Sequence, residues 1–242
     1  MDRTLTDATA RKNRLVAALP ADERERLLRH CRLVNLPNER VLLAPRERVA
    51  YAYFPTDGVV ALLMVMEDDT TVEVATVGSE GFVSVESILS ADQTPYEVSC
   101  QTPVEALRAD VEGLRLEFRE SAVLRDLLLR YAAVVFGCTG RSLACKVTHR
   151  VEQRLARWLL MTRDRVQADE LPMTQETLAR MLGVHRPTIS HAAEALREGG
   201  LIAYHRGRIT VTDRAGLESA SCEHYAEFRA VYEDLLGPAP IG

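Results

Sequence analysis

Residues 183–200 read GVHRPTISHAAEALREGG. Ile189, Ala193 and Leu196 recur at i, i+4 and i+7, an apolar stripe suited to burial against a neighbouring helix. Arg186, Pro187, Thr188, Ser190 and His191 crowd the first turns of the same segment and fall on its other side. Upstream, a second short helix is expected from Thr174 to Leu182. Thr174 is a good N-cap, with Thr177 three positions on in place of the capping-box Glu. Only Gly183 and Val184 separate the two helices, so the contact needs a small residue and the bend a residue that tolerates positive φ. Ala179 and Gly183, four apart, supply both, and Leu178, Ile189 and Leu196 fill the space between. The spacing predicts a helix-turn-helix.

In such a unit the second helix enters the major groove and its N-terminal residues meet base edges. Arg186 can bond a guanine in bidentate fashion, with Ser190 and His191 near enough for bases or phosphates. The helix N-terminus attracts phosphate, and Pro187 in the first turn loses no hydrogen bond. Directly downstream, Leu201–His205 and Arg208–Thr212 alternate as two strands about Arg206 and Gly207. The pair reads as a hairpin wing whose Arg206 and Arg208 add affinity for the DNA backbone without sequence preference.

Charge agrees with this division of labour. Of the 242 residues, 30 are basic and 35 acidic, giving a net charge of −5. Residues 141–216 nevertheless carry 13 basic against 8 acidic side chains, while residues 49–107 hold ten acidic residues and no Lys or Arg. Such segregation points to different partners for different parts of the chain.

Ahead of the wing domain, a helix is expected over Ala21–Arg32, followed by short β runs. The stretch VAYAYFPTDGVVALLMVMEDDTTVEVATVG alternates or clusters Val, Tyr, Phe and Leu between turn signals at Pro55–Gly58 and Asp68–Thr70. YEVSCQ and VEALRAD continue the pattern, and strands so spaced predict a barrel or a double-sheet roll. From Ser121 the period turns helical. Leu124, Leu128, Tyr131, Val135, Cys138, Ser142 and Cys145 follow a 4-3 spacing, which predicts a seam for a partner helix, with packing on the chain's own barrel as the alternative. Gly137 and Gly140 interrupt this helix at roughly 1 kcal/mol each relative to Ala; they allow close helix approach or mark a bend. A further helix places Val151, Leu155, Trp158 and Leu159 on one face.

The order of parts, and above all VTHRVEQRLARWLL…LPMTQETLARMLGVHRPTISHAAEALREGGLIAYHRGRITVTD, resembles the Crp/Fnr family of bacterial transcription regulators over nearly the whole chain. The resemblance implies an α+β architecture. An antiparallel β jelly-roll sensor (1–120) would precede a dimerisation helix (121–147), a winged helix-turn-helix (148–216) and a helical tail (217–242). It implies a homodimer on a palindromic operator, with RNA polymerase as a further partner. By motif position Gln175 and Thr188 would hold phosphates, and Arg186 with His191 would face bases. With Thr174, Arg206 and Arg208, the expected phosphate-contacting set is complete.

The departures from the family pattern carry information. Pro187 follows Arg186 where readers of the best-known operator have Glu, so cytosine loses its acceptor and the operator sequence is open. Cyclic-AMP binders neutralise the phosphate with an Arg beside Ser or Thr. Here VGSEGFVSVESILSADQTPYEVSC offers Glu86 and Thr94 but no cation, and burying an unpaired phosphate costs several kcal/mol. The expectation is a regulator not controlled by cyclic AMP, its effector unidentified. No cysteine precedes Cys31, against an N-terminal iron–sulfur cluster, and no histidine lies between His30 and His149, against a haem or mononuclear metal in the roll.

The five cysteines are scattered without a CxxC pair, so neither a disulfide framework nor a zinc site is expected, and His149, His224 and Cys222 are assigned surface or capping roles. Oxidation at Cys138 or Cys145 is one candidate signal. GxSxG, GxxxxGK[ST] and HExxH are absent, which speaks against an enzyme; no catalytic residue, metal or cofactor is expected. The longest apolar run, Ala61–Met66, is far shorter than the roughly 20 residues of a membrane helix, and the polar N-terminus has no signal-peptide core. A cytoplasmic regulator that binds double-stranded DNA is therefore expected. The alternative is a small-molecule or redox sensing module whose winged helix serves a protein partner.

Overall fold

A computed structural model describes residues 5–68 and 70–237. Residues 1–4 of the polar N-terminal stretch, Asp69 of the expected turn and the last five residues of the tail lie outside the described residues.

Three short helices open the chain: α1 (Asp7–Ala10), α2 (Arg14–Ala17) and α3 (Ala21–Leu28). Asn13 anchors them to the roll. Its carbonyl oxygen caps α2 by accepting from the Val16 amide, and its Nδ2 donates to the carbonyls of Pro55 (2.9 Å) and Gly81 (2.8 Å) in a fully buried setting. The helix expected through Arg32 ends at Leu28, because Cys31–Leu36 forms strand β1 and pairs residue for residue with Val104–Ala109. Tertiary pairing overrides local propensity there.

The roll comprises β1, β2 (Val41–Leu43), β3 (Tyr51–Asp57), β4 (Val60–Val65), β5 (Thr71–Val77), β6 (Glu97–Cys100) and β7 (Val104–Asp110). They make two antiparallel sheets, ordered β1-β7-β3 and β2-β6-β4-β5. Val60, Leu62, Val77, Val98, Val104 and Ala106 fill the space between them. Helix α4 (Val111–Glu120), which the sequence pattern did not reveal, starts on Asp110; that carboxylate accepts from the Glu112 and Gly113 amides.

Helix α5 runs unbroken from Ala122 to Thr148, capped by the Ser121 hydroxyl. Its expected partner seam requires correction. Leu124, Leu128 and Tyr131 are at most 2% exposed and pack into the chain's own core with Phe54, Phe82 and Leu114. Tyr131 lies so close to Gly81 that a Cβ there would sit 2.0 Å from its hydroxyl. Farther along, Val135, Cys138 and Ser142 line a cavity with Ala75, Trp158 and Tyr232, and Cys145 is buried against Cys222. All seven residues therefore face their own chain. The apolar side left open is a different stripe, with Phe136 83% exposed, Leu143 66% and Val147 81%, and Leu129 a turn pair earlier. The sequence stripe was real, but the roll covers its first half and the C-terminal helices its second.

Helix α6 (Val151–Val166) leads to strand β8 (Glu170–Leu171), α7 (Gln175–Leu182), α8 (Arg186–Glu198) and the hairpin β9 (Ile202–His205) and β10 (Arg208–Val211). Strand β8 completes a three-stranded wing sheet in the order β8-β10-β9. Helix α9 (Arg214–Ala220) closes this core through Leu217, and α10 (His224–Leu236) returns to α5, where Tyr232 meets Tyr131.

Candidate nucleic-acid interface

Local chemistry fixes the helix pair. Thr174 accepts from the Thr177 amide at 3.1 Å, and Gly183 ends α7 at φ +65°, the left-handed C-cap that glycine adopts without strain. Leu178, Ile189, Ala192, Ala193 and Leu196 are buried in one cluster with Leu155, Trp158 and Leu159 of α6. Roughly 1.5–3 kcal/mol per large apolar side chain holds α8 by that face.

The other face is left to solvent. Arg186, Pro187, Thr188 and His191 are exposed, and no side chain caps the α8 N-terminus; Pro187 has no N–H and the Thr188 amide donates to the His185 carbonyl, so an anion would meet chiefly the Arg186 amide. Ser190 differs from its expected role as a free base reader. It is half-buried, and its hydroxyl lies 2.8 Å from Gln175 Oε1 and 3.1 Å from the Arg186 carbonyl. Ser190 and Gln175 thus brace the two helices against each other. Thr174 is exposed but engaged in its cap.

The wing turn is Arg206–Gly207, with φ of +47° and +77°, between His205 and Arg208, which pair directly. Two positive φ values make the primed turn that suits a two-residue hairpin. Arg206 stands free at the tip, whereas Arg208 pairs with Glu170 of β8, so a phosphate must compete with that carboxylate for it. Two exposed histidines at this surface, His185 before α8 and His205 beside the wing turn, were not singled out from sequence.

The reader domain is docked on the roll. Trp158 Nε1 donates to both carboxylate oxygens of Glu73 at 3.1 and 3.2 Å, and Gln101 Nε2 donates to the same carboxylate at 3.2 Å. Burial raises the Glu73 pKa, opposed by the indole hydrogen bond and by Arg157. Arg165 forms an ion pair with Glu80 at 2.7 Å and donates to Thr76, with both charged side chains under 10% exposed. Val72 of β5 meets Gly183 at the bend, 3.3 Å from where a Cβ would lie. These contacts all fall on residues of the 49–107 block, which has no cation of its own, and Arg165 of the reader supplies one to its Glu80.

The sequence expectation for the cysteines and histidines of the C-terminal half also needs correction. Cys145 and His149 lie one helical turn apart at the end of α5, and Cys222 and His224 flank Glu223, the N-cap of α10. Their donor atoms all fall within 4.8 Å of one another. Cys222 is buried and the two histidine side chains are each 13% exposed, which removes the surface role; of the capping role, His149 keeps it as the C-cap of α5. The two pairs are 77 residues apart in sequence, and only the return of α10 onto α5 joins them. The thiol of Cys138 is pushed up to about 11 by burial, which argues against a redox role there.

Comparison with known proteins agrees with the architecture. Residues 153–220 match the model of a Crp-like helix-turn-helix domain. A global nitrogen regulator of Nostoc sp. (strain PCC 7120) is 29% identical over 183 residues, spanning 69% of this chain and 78% of that protein. The global nitrogen regulator of Synechocystis sp. (strain PCC 6803) is 28% identical over 189 residues, covering 72% and 80%. Among solved structures, a Crp/Fnr-family regulator from Eubacterium rectale superposes with a TM-score of 0.68 at 16% identity, covering 85% of this chain and 96% of that one. The c-di-GMP responsive global regulator of Xanthomonas campestris gives 0.64 at 20% identity, covering 80% and 100%. Residues 153–220 thus match a Crp-like helix-turn-helix domain, and the roll, the long helix and the winged reader share the fold of a solved Crp/Fnr-family regulator.

Proposed function

We propose that this regulator works as a homodimer on a palindromic operator, reading one half-site with each α8. The observation that carries the reading is the outward face of α8, where Arg186, Pro187, Thr188 and His191 are exposed beside an uncapped helix N-terminus. Arg186 and His191 read base edges, and Thr188, Arg206, Arg208 and the α7 N-terminus at Thr174 and Gln175 take phosphates. Ser190 supports the readers through Gln175 and offers at most its lone pairs to the duplex.

The partner surface is the open stripe of Leu129, Phe136, Leu143 and Val147, not the inward one. Gly140 lies on that side with nothing within 4 Å of its notional Cβ, which permits a second helix to approach closely. A two-fold pair of α5 helices then sets the two α8 helices about 34 Å apart, one turn of duplex. Among the described residues no helix is long and apolar enough to cross a membrane, in keeping with a cytoplasmic regulator that meets RNA polymerase on DNA.

Control by cyclic AMP is not part of this reading. The roll offers no Lys or Arg from Val49 to Leu107. The nearby Arg115 is already bonded to the Ser87 and Ala91 carbonyls and the Asp92 carboxylate. Calorimetry with cyclic AMP is expected to give no heat of binding; micromolar affinity overturns this part. The function itself is tested by selecting bound sites from a random duplex pool. A palindrome with half-sites one helical turn apart is expected, with affinity falling steeply as salt rises. Failure to retain any duplex at low ionic strength overturns the reading.

A further inference from the structure

We propose that Cys145, His149, Cys222 and His224 hold one zinc ion per chain in a closed tetrahedral site that staples the end of α5 to the start of α10. Zinc takes thiolate sulfur at about 2.3 Å and imidazole nitrogen at about 2.0–2.1 Å, so the edges of its tetrahedron are about 3.4–3.8 Å. The Cys145 and Cys222 sulfurs are 3.6 Å apart, on that edge and far outside the about 2.05 Å of a disulfide. All four donors lie within 4.8 Å of one another, so side-chain adjustments of about 1 Å complete the polyhedron. Cys145 Sγ and His224 Nδ1, 2.8 Å apart in hydrogen-bond contact, would part by about 0.7 Å to reach the sulfur–nitrogen edge of such a tetrahedron.

The surroundings fit a metal too. Ligating histidines commonly give their second ring nitrogen to a carboxylate, which fixes tautomer and orientation. Here His149 Nε2 is 3.0 Å from Glu223, with the Thr148 hydroxyl 3.4 Å from its Nδ1 and due to yield to the metal, and His224 Nε2 lies 4.0 Å from Glu227, a small side-chain movement from a hydrogen bond. Two thiolates neutralise the dication, so the buried corner carries no net charge. Four protein ligands leave no open position, which makes the site structural and not catalytic. Its place matters: α5 ends at Thr148 and α6, the first helix of the reader, begins at Val151. The ion would thus fix the joint between the long helix and the DNA-reading domain by tying it to a third element.

The test uses the full-length protein and does not depend on DNA. Reduced, chelator-treated protein is titrated with Co(II) and then Zn(II). One equivalent of Co(II) per chain is expected, with near-ultraviolet thiolate-to-metal absorption and the strong visible bands of tetrahedral cobalt, bleached by Zn(II). Replacing Cys145 and Cys222 together by Ser abolishes the thiolate band, while Cys138→Ser leaves it intact. Glu223→Gln changes only an exposed carboxylate and is expected to weaken Zn(II) binding by roughly 10–100-fold. In the unmodified protein Zn(II) also raises the melting temperature, a readout that needs no variant to fold. Substoichiometric uptake, cobalt bands without thiolate character, or a Cys145–Cys222 disulfide in metal-free protein that Zn(II) cannot prevent would each overturn the site.

Discussion

Helices α8 and α5 both announce themselves by an apolar repeat, yet the repeat meant different things in the two places. In α8 the stripe of Ile189, Ala193 and Leu196 is buried and the opposite side is polar, so period and exposure agree. In α5 the 4-3 stripe from Leu124 to Cys145 is turned toward the roll and α10, while Phe136, Leu143 and Val147 form a second apolar stripe in the open. A period identifies a face but not what covers it. Where one helix has two apolar faces, the longer and more regular one goes to the larger core, and the shorter is left for another molecule.

The sharpest way to break this contrast is to charge the open stripe. Phe136→Glu with Leu143→Glu should leave a folded monomer and lower operator affinity by roughly 10²–10⁴-fold, the usual loss when paired sites are uncoupled. Sedimentation velocity reports the first and titration of labelled duplex the second. A dimer that persists would return the partner surface to the inward stripe.

Next in size is Leu128→Ala. It should lower the unfolding free energy of each chain by about 2–5 kcal/mol, as for other fully buried leucines, while the dimer dissociation constant stays put. Denaturant melts followed by circular dichroism measure the one and sedimentation the other. Weaker dimers from chains of unchanged stability would reverse the assignment.

On the α8 side, Arg186→Ala should relax base preference at one position per half-site by about 1–3 kcal/mol. Arg206→Ala should weaken all duplexes alike and reduce the salt slope by about one. Equal losses on specific and random DNA for both variants would erase the division between base reading and backbone contact.

The smallest effect concerns the seat of the reader on the roll. Burial holds the Glu73 carboxyl above its ordinary range. The folded chain therefore binds that proton more tightly than the unfolded chain. The charged carboxylate weakens the fold above the raised pKa, and this penalty fades as pH falls through it. Glu73→Gln keeps an acceptor for Trp158 and removes the charge. It should raise stability slightly at neutral pH, and the gap from the parent protein should close toward mildly acidic pH in parallel thermal melts.

The reader was legible almost residue by residue because its signals are local. Thr174 as a cap, Gly183 at a left-handed bend and the Arg206–Gly207 turn each need only neighbours in sequence. The roll was legible as a class, but Cys31 and Arg32, the first two residues of β1, read as the end of a helix because the strand's identity depends on pairing with β7, some 70 residues away. Ser190 kept its place and lost its freedom, since its bond to Gln175 appears only when α7 and α8 cross. The Cys and His corner was invisible for the same reason. Cys145 with His149 and Cys222 with His224 look like two unrelated pairs until α10 folds back, although the one-turn spacing of the first pair was a signal that could have been weighed.

The meeting of Val72 with Gly183 has a consequence of its own. Glycine leaves room here that a side chain would fill: a Cβ at position 183 would sit 3.3 Å from Val72. A side chain introduced at Gly183 would therefore press on β5, at a bend already held at positive φ. The aliphatic bulk at position 72, in the roll, thus bears on which residue the hinge of the reader can hold.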